Sequence, residues 1–261
     1  MMRVAVLSDI HGNSIALDAV LEDIRAQGHV DATWVLGDLA AIGFDPIGVL
    51  ERVSELPQVM LVRGNTDRFL VTGERPSPTV EECEVNPALW LARAEVAASF
   101  SWTQGMVTAA GWLEWLAGLP LESRTGLPDG TRVLCVHASP GCDDGREVQP
   151  RMSKEALRSL AAESAAELVF VGHTHWPMET WVDGVHLANV GSVSNAFPPD
   201  LRASYVMLEA DEVGYHLQYR RVAYDREAVV RELRRVNHPA APYIIQFLRG
   251  EIRPNWWKTG L

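Results

Sequence analysis

Seven side chains able to ligate a metal recur along the chain, each just after a short apolar run. They are Asp9 and His11, Asp38, Asn65, His137, and His173 and His175. All offer an oxygen or an imidazole nitrogen, and none is a thiolate. Such donors suit divalent Mn, Fe, Zn, Co or Ni, with availability deciding among them. Seven donors are too many for one tetrahedral ion and about right for two ions sharing a carboxylate. Singly, Asp9-x-His11 reads as a helix cap beside a surface histidine, and each histidine as a capped or core residue. A joint site accounts for all seven at once.

Short β-type runs must position these groups. Val4 to Leu7 stops at Ser8-Asp9-Ile10-His11-Gly12-Asn13, which places Asp9 and His11 at the carboxyl end of a buried strand, where open α/β sheets bind ligands. Thr33 to Leu36 leads into Gly37-Asp38, and Val59 to Val62 into Arg63-Gly64-Asn65-Thr66-Asp67. Thr131 to Val136 precedes His137, and Leu168 to Val171 precedes Gly172-His173-Thr174-His175. Further strands are expected over 185–190, 203–209 and 214–222, the last two as a hairpin. Between them the apolar spacing predicts helices over 14–27, from Pro46 behind an Asp45 cap, from Ser153 to about 162, over 225–236 and over 241–248.

Residues 71–125 interrupt this rhythm. A polar, proline-bearing stretch over 73–87 reads as a loop. Tryptophan-rich helical patterns follow, with Met106, Ala110, Leu113 and Ala117 at helical spacing. This insertion reads as a helical layer packed on the sheet or as a cap over the site. The tail bears Trp256 and Trp257, suited to core contact or to a packing surface.

The 261 residues carry a net charge of −11, which argues against a general nucleic-acid or anionic-membrane binder. Three cysteines, none in a C-x-x-C pair, point to a reducing compartment without a disulfide framework. With no leader-like N-terminus and no apolar stretch of membrane-spanning length, a cytoplasmic protein is expected.

The series Asp9-x-His11, Gly37-Asp38, Gly64-Asn65-x-Asp67, His137 and Gly172-His173-x-His175 resembles that of the calcineurin-like metallophosphoesterases, in particular their small bacterial and archaeal branch. The resemblance spans Val4 to about Val193. It implies an α/β four-layer sandwich of two mixed β-sheets flanked by helices, here one domain over 1–261 with the helical insertion. It also implies two divalent metal ions, with Asp9, His11 and His175 on the first, Asn65, His137 and His173 on the second, and Asp38 between them. A metal-bridging hydroxide would attack phosphorus in line while Asn65 stabilises the phosphoryl oxygens. Asn65 and Asp67 are thus the candidate catalytic residues.

Two departures stand out. Many family members have a histidine directly after the Gly-Asn, and this chain has Thr66. A threonine hydroxyl titrates too high to serve as general acid. In the branch this chain resembles, loss of that histidine goes with phosphodiesters or activated esters, so a phosphodiester preference is expected. Where related chains continue with a glycine-rich basic segment, this one offers only Arg202, a candidate phosphate clamp or a plain surface arginine. Competing activities are a phosphomonoesterase, a protein phosphatase or a dinucleoside polyphosphate hydrolase acting on a nucleotide-like ester. From a different class comes a catalytically inactive binding scaffold.

Overall fold

The computed structural model describes residues 1–145 and 148–253. Alternation along the first strand shows how the layers arise. In β1 (Met2–Leu7), Val4 and Val6 enter one hydrophobic cluster and Ala5 and Leu7 another, all four fully buried. A strand apolar on both faces must be covered on both. On one side it meets a second sheet, and on the other a layer of helices.

The first sheet runs in the order β10 (Tyr215–Val222), β9 (Ala203–Ala210), β1, β2 (Ala32–Val35), β3 (Val59–Leu61). Its last three strands are parallel, and β9 lies antiparallel to both β1 and β10. The second sheet runs β4 (Glu122–Gly126), β5 (Arg132–Val136), β6 (Leu168–Val171), β8 (Val185–Asn189), β7 (Met178–Val182). Its three central strands are parallel and its edges antiparallel. Val6, Trp34 and Val206 from the first sheet pack with Cys135, Phe170 and Ala188 from the second. The outer face of the first sheet is covered by α1 (Ser14–Ala26), α2 (Pro46–Ser54), α3 (Asn65–Thr72), α5 (Trp90–Ala109) and α6 (Leu113–Ala117). The outer face of the second is covered by α7 (Lys154–Ser164) through Leu160. The expected four-layer α/β sandwich is therefore the observed fold.

Local signals explain the element starts. Asn13, Asp45, Ser153 and Asp225 each accept a backbone N–H from the first turn of α1, α2, α7 and α8 (Arg226–Arg235). Other expectations need correction. The stretch over 73–87 is not simply a loop: it contains α4 (Val80–Val85), started by a capping box between Thr79 and Glu82. The helical spacing over 106–117 is spread over two helices. Gly111, at φ 80°, separates α5 from α6, and the buried residues are Val107 and Leu116 while Ala110 and Ala117 are exposed. β4 and β7 escape a sequence reading because they are polar, partly exposed edge strands. Helix α9 (Ala241–Leu248) follows the expected bounds and joins α8 around Phe44. Cys83, Cys135 and Cys142 are free thiols. Among the described residues no helix is long and apolar enough to cross a membrane. Trp256 and Trp257 lie outside the described residues.

Candidate metal centre and adjoining cavity

The parallel strands of both sheets end on one side, and the loops that follow are laced to one another. Asp9 N–H donates to Gly37 O (3.1 Å), His11 N–H to Asp38 O (2.9 Å) and Gly172 N–H to His137 O (2.9 Å). Ser8 Oγ donates to Leu36 O (3.2 Å). Asp9, His11, Asp38, His173 and His175 all have left-handed backbone, with φ of 58°, 49°, 56°, 64° and 58°. This region is uncommon for residues with a Cβ and clusters at functional sites. The winding turns successive polar side chains inward. Glycines let the loops close up: a Cβ on Gly64 would overlap Asp38 Oδ1, and one on Gly172 would overlap Ser8 Oγ.

Five of the seven expected ligands form two overlapping groups, Asp9–His11–His175 and Asp9–Asp38–His137. The donor atoms in each lie within 4.8 Å of one another. Asn65 Oδ1 stands 3.0 Å from His137 Nε2 and so joins the second group. His173 is beside it, its ring centroid 5.1 Å from that of His137 and its backbone N–H donating to Asp9 Oδ2 (3.0 Å). Its Nε2 also faces Asp144 Oδ1 at 3.7 Å, a neighbour that sequence reasoning did not single out.

The donor orientations suit cations. His137 Nδ1 donates to Leu36 O (2.6 Å) and His175 Nδ1 to Asn195 O (3.0 Å), which leaves both Nε2 lone pairs facing the cluster. His11 Nε2 is 3.1 Å from His175 Nε2, and Asp9 Oδ1 is also 3.1 Å from His175 Nε2. Asp9 Oδ1 and His11 Nδ1 are buried and without hydrogen-bond partners. Lone pairs pressed this close repel unless a proton or a cation lies between them, so the residues fit divalent metal. Electrostatics follow the same crowding. Burial pushes His11 and His173 down to about 4. For His137, burial is outweighed by the Asp38 carboxylate, which draws it up to about 10, so a cation would have to displace a proton to reach its Nε2 lone pair. Against its own burial, Asp38 is held well below the usual carboxylate range by His137 and His11.

Two expected site residues have other positions. Asp67 is fully buried and its carboxylate accepts three backbone N–H groups: Asp38 (2.8 Å), Leu39 (3.0 Å) and Gly64 (2.9 Å). These bonds tie it to the loops that carry Asp38 and Asn65. Burial and the charge of Asp38 raise it to about 7. Arg202 is bidentate to Asp200 at 2.9 and 2.7 Å and lines a separate cavity with Tyr224 and Arg226. Its guanidinium is taken up locally by Asp200.

Beside the ligand cluster lies a cavity of about 400 Å³. His11, Asp38, Asn65, His173 and His175 line one end. Thr66 lines it too, with Oγ1 buried and unpartnered. The insertion supplies another wall through α5, so it both packs on the sheet through Phe100 and Val107 and borders the site through Val96 and Phe100. These wall residues carry no sequence signal of a site, being ordinary apolar side chains scattered along the chain.

The family description "calcineurin-like phosphoesterase superfamily domain" matches residues 2–213. A protein of Methanocaldococcus jannaschii that bears no assigned function is 27% identical over 237 residues, covering 85% of this chain and 88% of its own. The crystal structure of a metallophosphoesterase from Sphaerobacter thermophilus is similar with a TM-score of 0.75 at 26% identity, over 96% of this chain and 99% of that one. A symmetrical bis(5'-nucleosyl)-tetraphosphatase from Erwinia tasmaniensis is 33% identical over 104 residues, only 35% of this chain and 38% of that one.

Proposed function

The chain belongs to the calcineurin-like phosphoesterase superfamily, and from that premise we propose that it hydrolyses phosphate esters at a two-metal centre, with phosphodiesters preferred over monoesters. The observation that carries this reading is the convergence of Asp9, Asp38, His11, His137 and His175 with lone pairs facing inward. Asp9, His11 and His175 would hold one cation, Asn65, His137 and His173 the other, and Asp38 would touch both. When bound, two such cations neutralise phosphate charge and lower the pKa of water to near neutrality.

The remaining roles belong to the chain. Leu36 O and Asn195 O fix the imidazoles of His137 and His175. Asn65 borders the cavity, where its amide would meet a bound phosphate, and Asp67 holds the loop that carries it. The unpartnered Thr66 hydroxyl is placed to donate a hydrogen bond to a non-bridging or ester oxygen, but it supplies no acid. A leaving group must therefore depart without strong protonation, which favours aryl and other activated diesters. Three free cysteines, Cys142 among them exposed, accord with a reducing, cytoplasmic setting. The scaffold alternative has less support, because a chain that only binds has no need of the whole ligand set. Protein loaded with Mn²⁺, or with Fe, Zn, Co or Ni, should hold about two ions per chain by elemental analysis. It should cleave bis-p-nitrophenyl phosphate faster than p-nitrophenyl phosphate, and Asp38→Ala should lose both rates by about a thousandfold. Metal-free protein after loading would overturn the reading.

A further inference from the structure

We propose that the cavity beside the ligand cluster receives the organic part of the phosphate ester and selects uncharged aryl or similarly apolar groups over chains that carry further anions. This deepens the two-metal reading and rests on it. A phosphate held by His11, Asp38, Asn65, His173 and His175 has its substituent directed into the space those residues border. That space is walled by Ile42, Pro76, Pro78, Val96, Phe100 and Ala240. Its volume of about 400 Å³ is ample for an aromatic group and falls in the range of clefts that take drug-sized organic groups.

Charge decides what else can enter. Among the described residues that line the cavity, the one charged side chain outside the ligand cluster is Glu95. Among the described residues no arginine or lysine lines it. Among the described residues, two arginines on the segments that form the wall are engaged in other bonds. Arg93 donates to Pro78 O (2.8 Å), and Arg75 donates to Phe69 O (3.2 Å) and Gln104 Oε1 (2.9 Å). A second phosphate in the cavity would find no cationic partner among the described lining residues and would face Glu95, whereas a polyphosphate site supplies basic side chains. By this argument a dinucleoside polyphosphate is a poor substrate, despite the partial likeness to a tetraphosphatase.

A chain of aromatic contacts links His175 to Tyr243, both of which line the cavity. Phe197 stacks on His175 (6.0 Å between centroids), Phe247 contacts Phe197 (5.4 Å), and Tyr243 contacts Phe247 (5.4 Å). Tyr243 lines the cavity and is 49% exposed, at the position where an entering ring would slide past it.

Three non-hydrolysable probes test the inference by calorimetry on Mn²⁺-loaded protein: methylphosphonate, phenylphosphonate and 4-carboxyphenylphosphonate. Phenylphosphonate should bind about tenfold tighter than either of the others. Val96→Ser should narrow the phenyl-to-methyl gap. Glu95→Lys, a surface change, should narrow the gap between phenyl and carboxyphenyl and leave the first gap in place. Equal affinity for phenyl and methyl probes, with metal bound, would overturn the cavity's role and leave the metal centre standing. Equal affinity for the two aryl probes would overturn the exclusion of charge. Protein that takes up no metal would overturn the two-metal reading and this inference with it.

Discussion

The ligand cluster is fastened by the backbone, whereas the cavity beside it is walled by side-chain packing between segments far apart in sequence. Asp9, Asp38 and His173 sit in loops whose N–H and C=O groups bond across from strand to strand. The cavity wall instead gathers residues from 76–78, 92–100 and 240–243, held by contacts such as Trp102 against His238. Hydrogen-bonded loops have one good arrangement, while packed apolar walls tolerate changes of side chain if volume is kept. The contrast separates a part fixed in its geometry from a part free to vary in its side chains.

Removing the fastening of the cluster should have the largest effect. Asp67→Ala leaves three buried backbone N–H groups unpaired, and at about 1–3 kcal/mol each this should cost about 3 kcal/mol or more. Metal affinity should weaken at least about tenfold as well. Denaturant titration and metal competition would measure the two losses, and an unchanged affinity would mean that the cluster does not depend on this carboxylate.

A smaller effect is expected at the wall. Burial holds His238 near 4, against 6.5 in the unfolded chain. Above pH 6.5 both states are neutral and its contribution is constant. Between 6.5 and 4 only the unfolded chain takes up the proton, so stability falls with falling pH by roughly 3 kcal/mol at most and levels off below 4. Compared by urea denaturation at pH 7 and pH 5, His238→Asn should lose less stability than the parent protein. Equal losses would show that His238 does not set this acid sensitivity.

Thr66→His lies where the two parts meet. It should raise the ratio of monoester to diester rates by several-fold, since it restores a group that titrates near neutrality. An unchanged ratio would count against the diester preference. The smallest effect belongs to Arg202→Ala. With its guanidinium on Asp200 and in another cavity, kcat/KM should change less than about twofold. A large loss would support the clamp reading.

The same contrast explains what could be read in the sequence. Each ligand follows a β-branched run closely, often with a glycine beside it, so strand ends and donors were legible together. Asp67 was visible as a carboxylate near Asn65, but its role was not, because three backbone donors from distant loops define it. β7 and β8 meet at Asp183-Gly184, both with positive φ. That Asp-Gly pair was a usable hairpin signal that the polar flanks obscured. The cavity could not be foreseen, because Ile42, Val96 and Ala240 acquire meaning only when three remote segments meet.

The left-handed backbone at five ligands also bears on how this protein would respond to selection. Each such residue gives up about 1 kcal/mol or more that glycine would recover. Variation screened only for heat resistance would thus drift toward glycine at His11, whose Nδ1 has no hydrogen bond to lose, gaining stability as the site disappears. A library scored for survival alone would enrich dead protein, and any effort to toughen this chain must count turnover and melting temperature in the same clones.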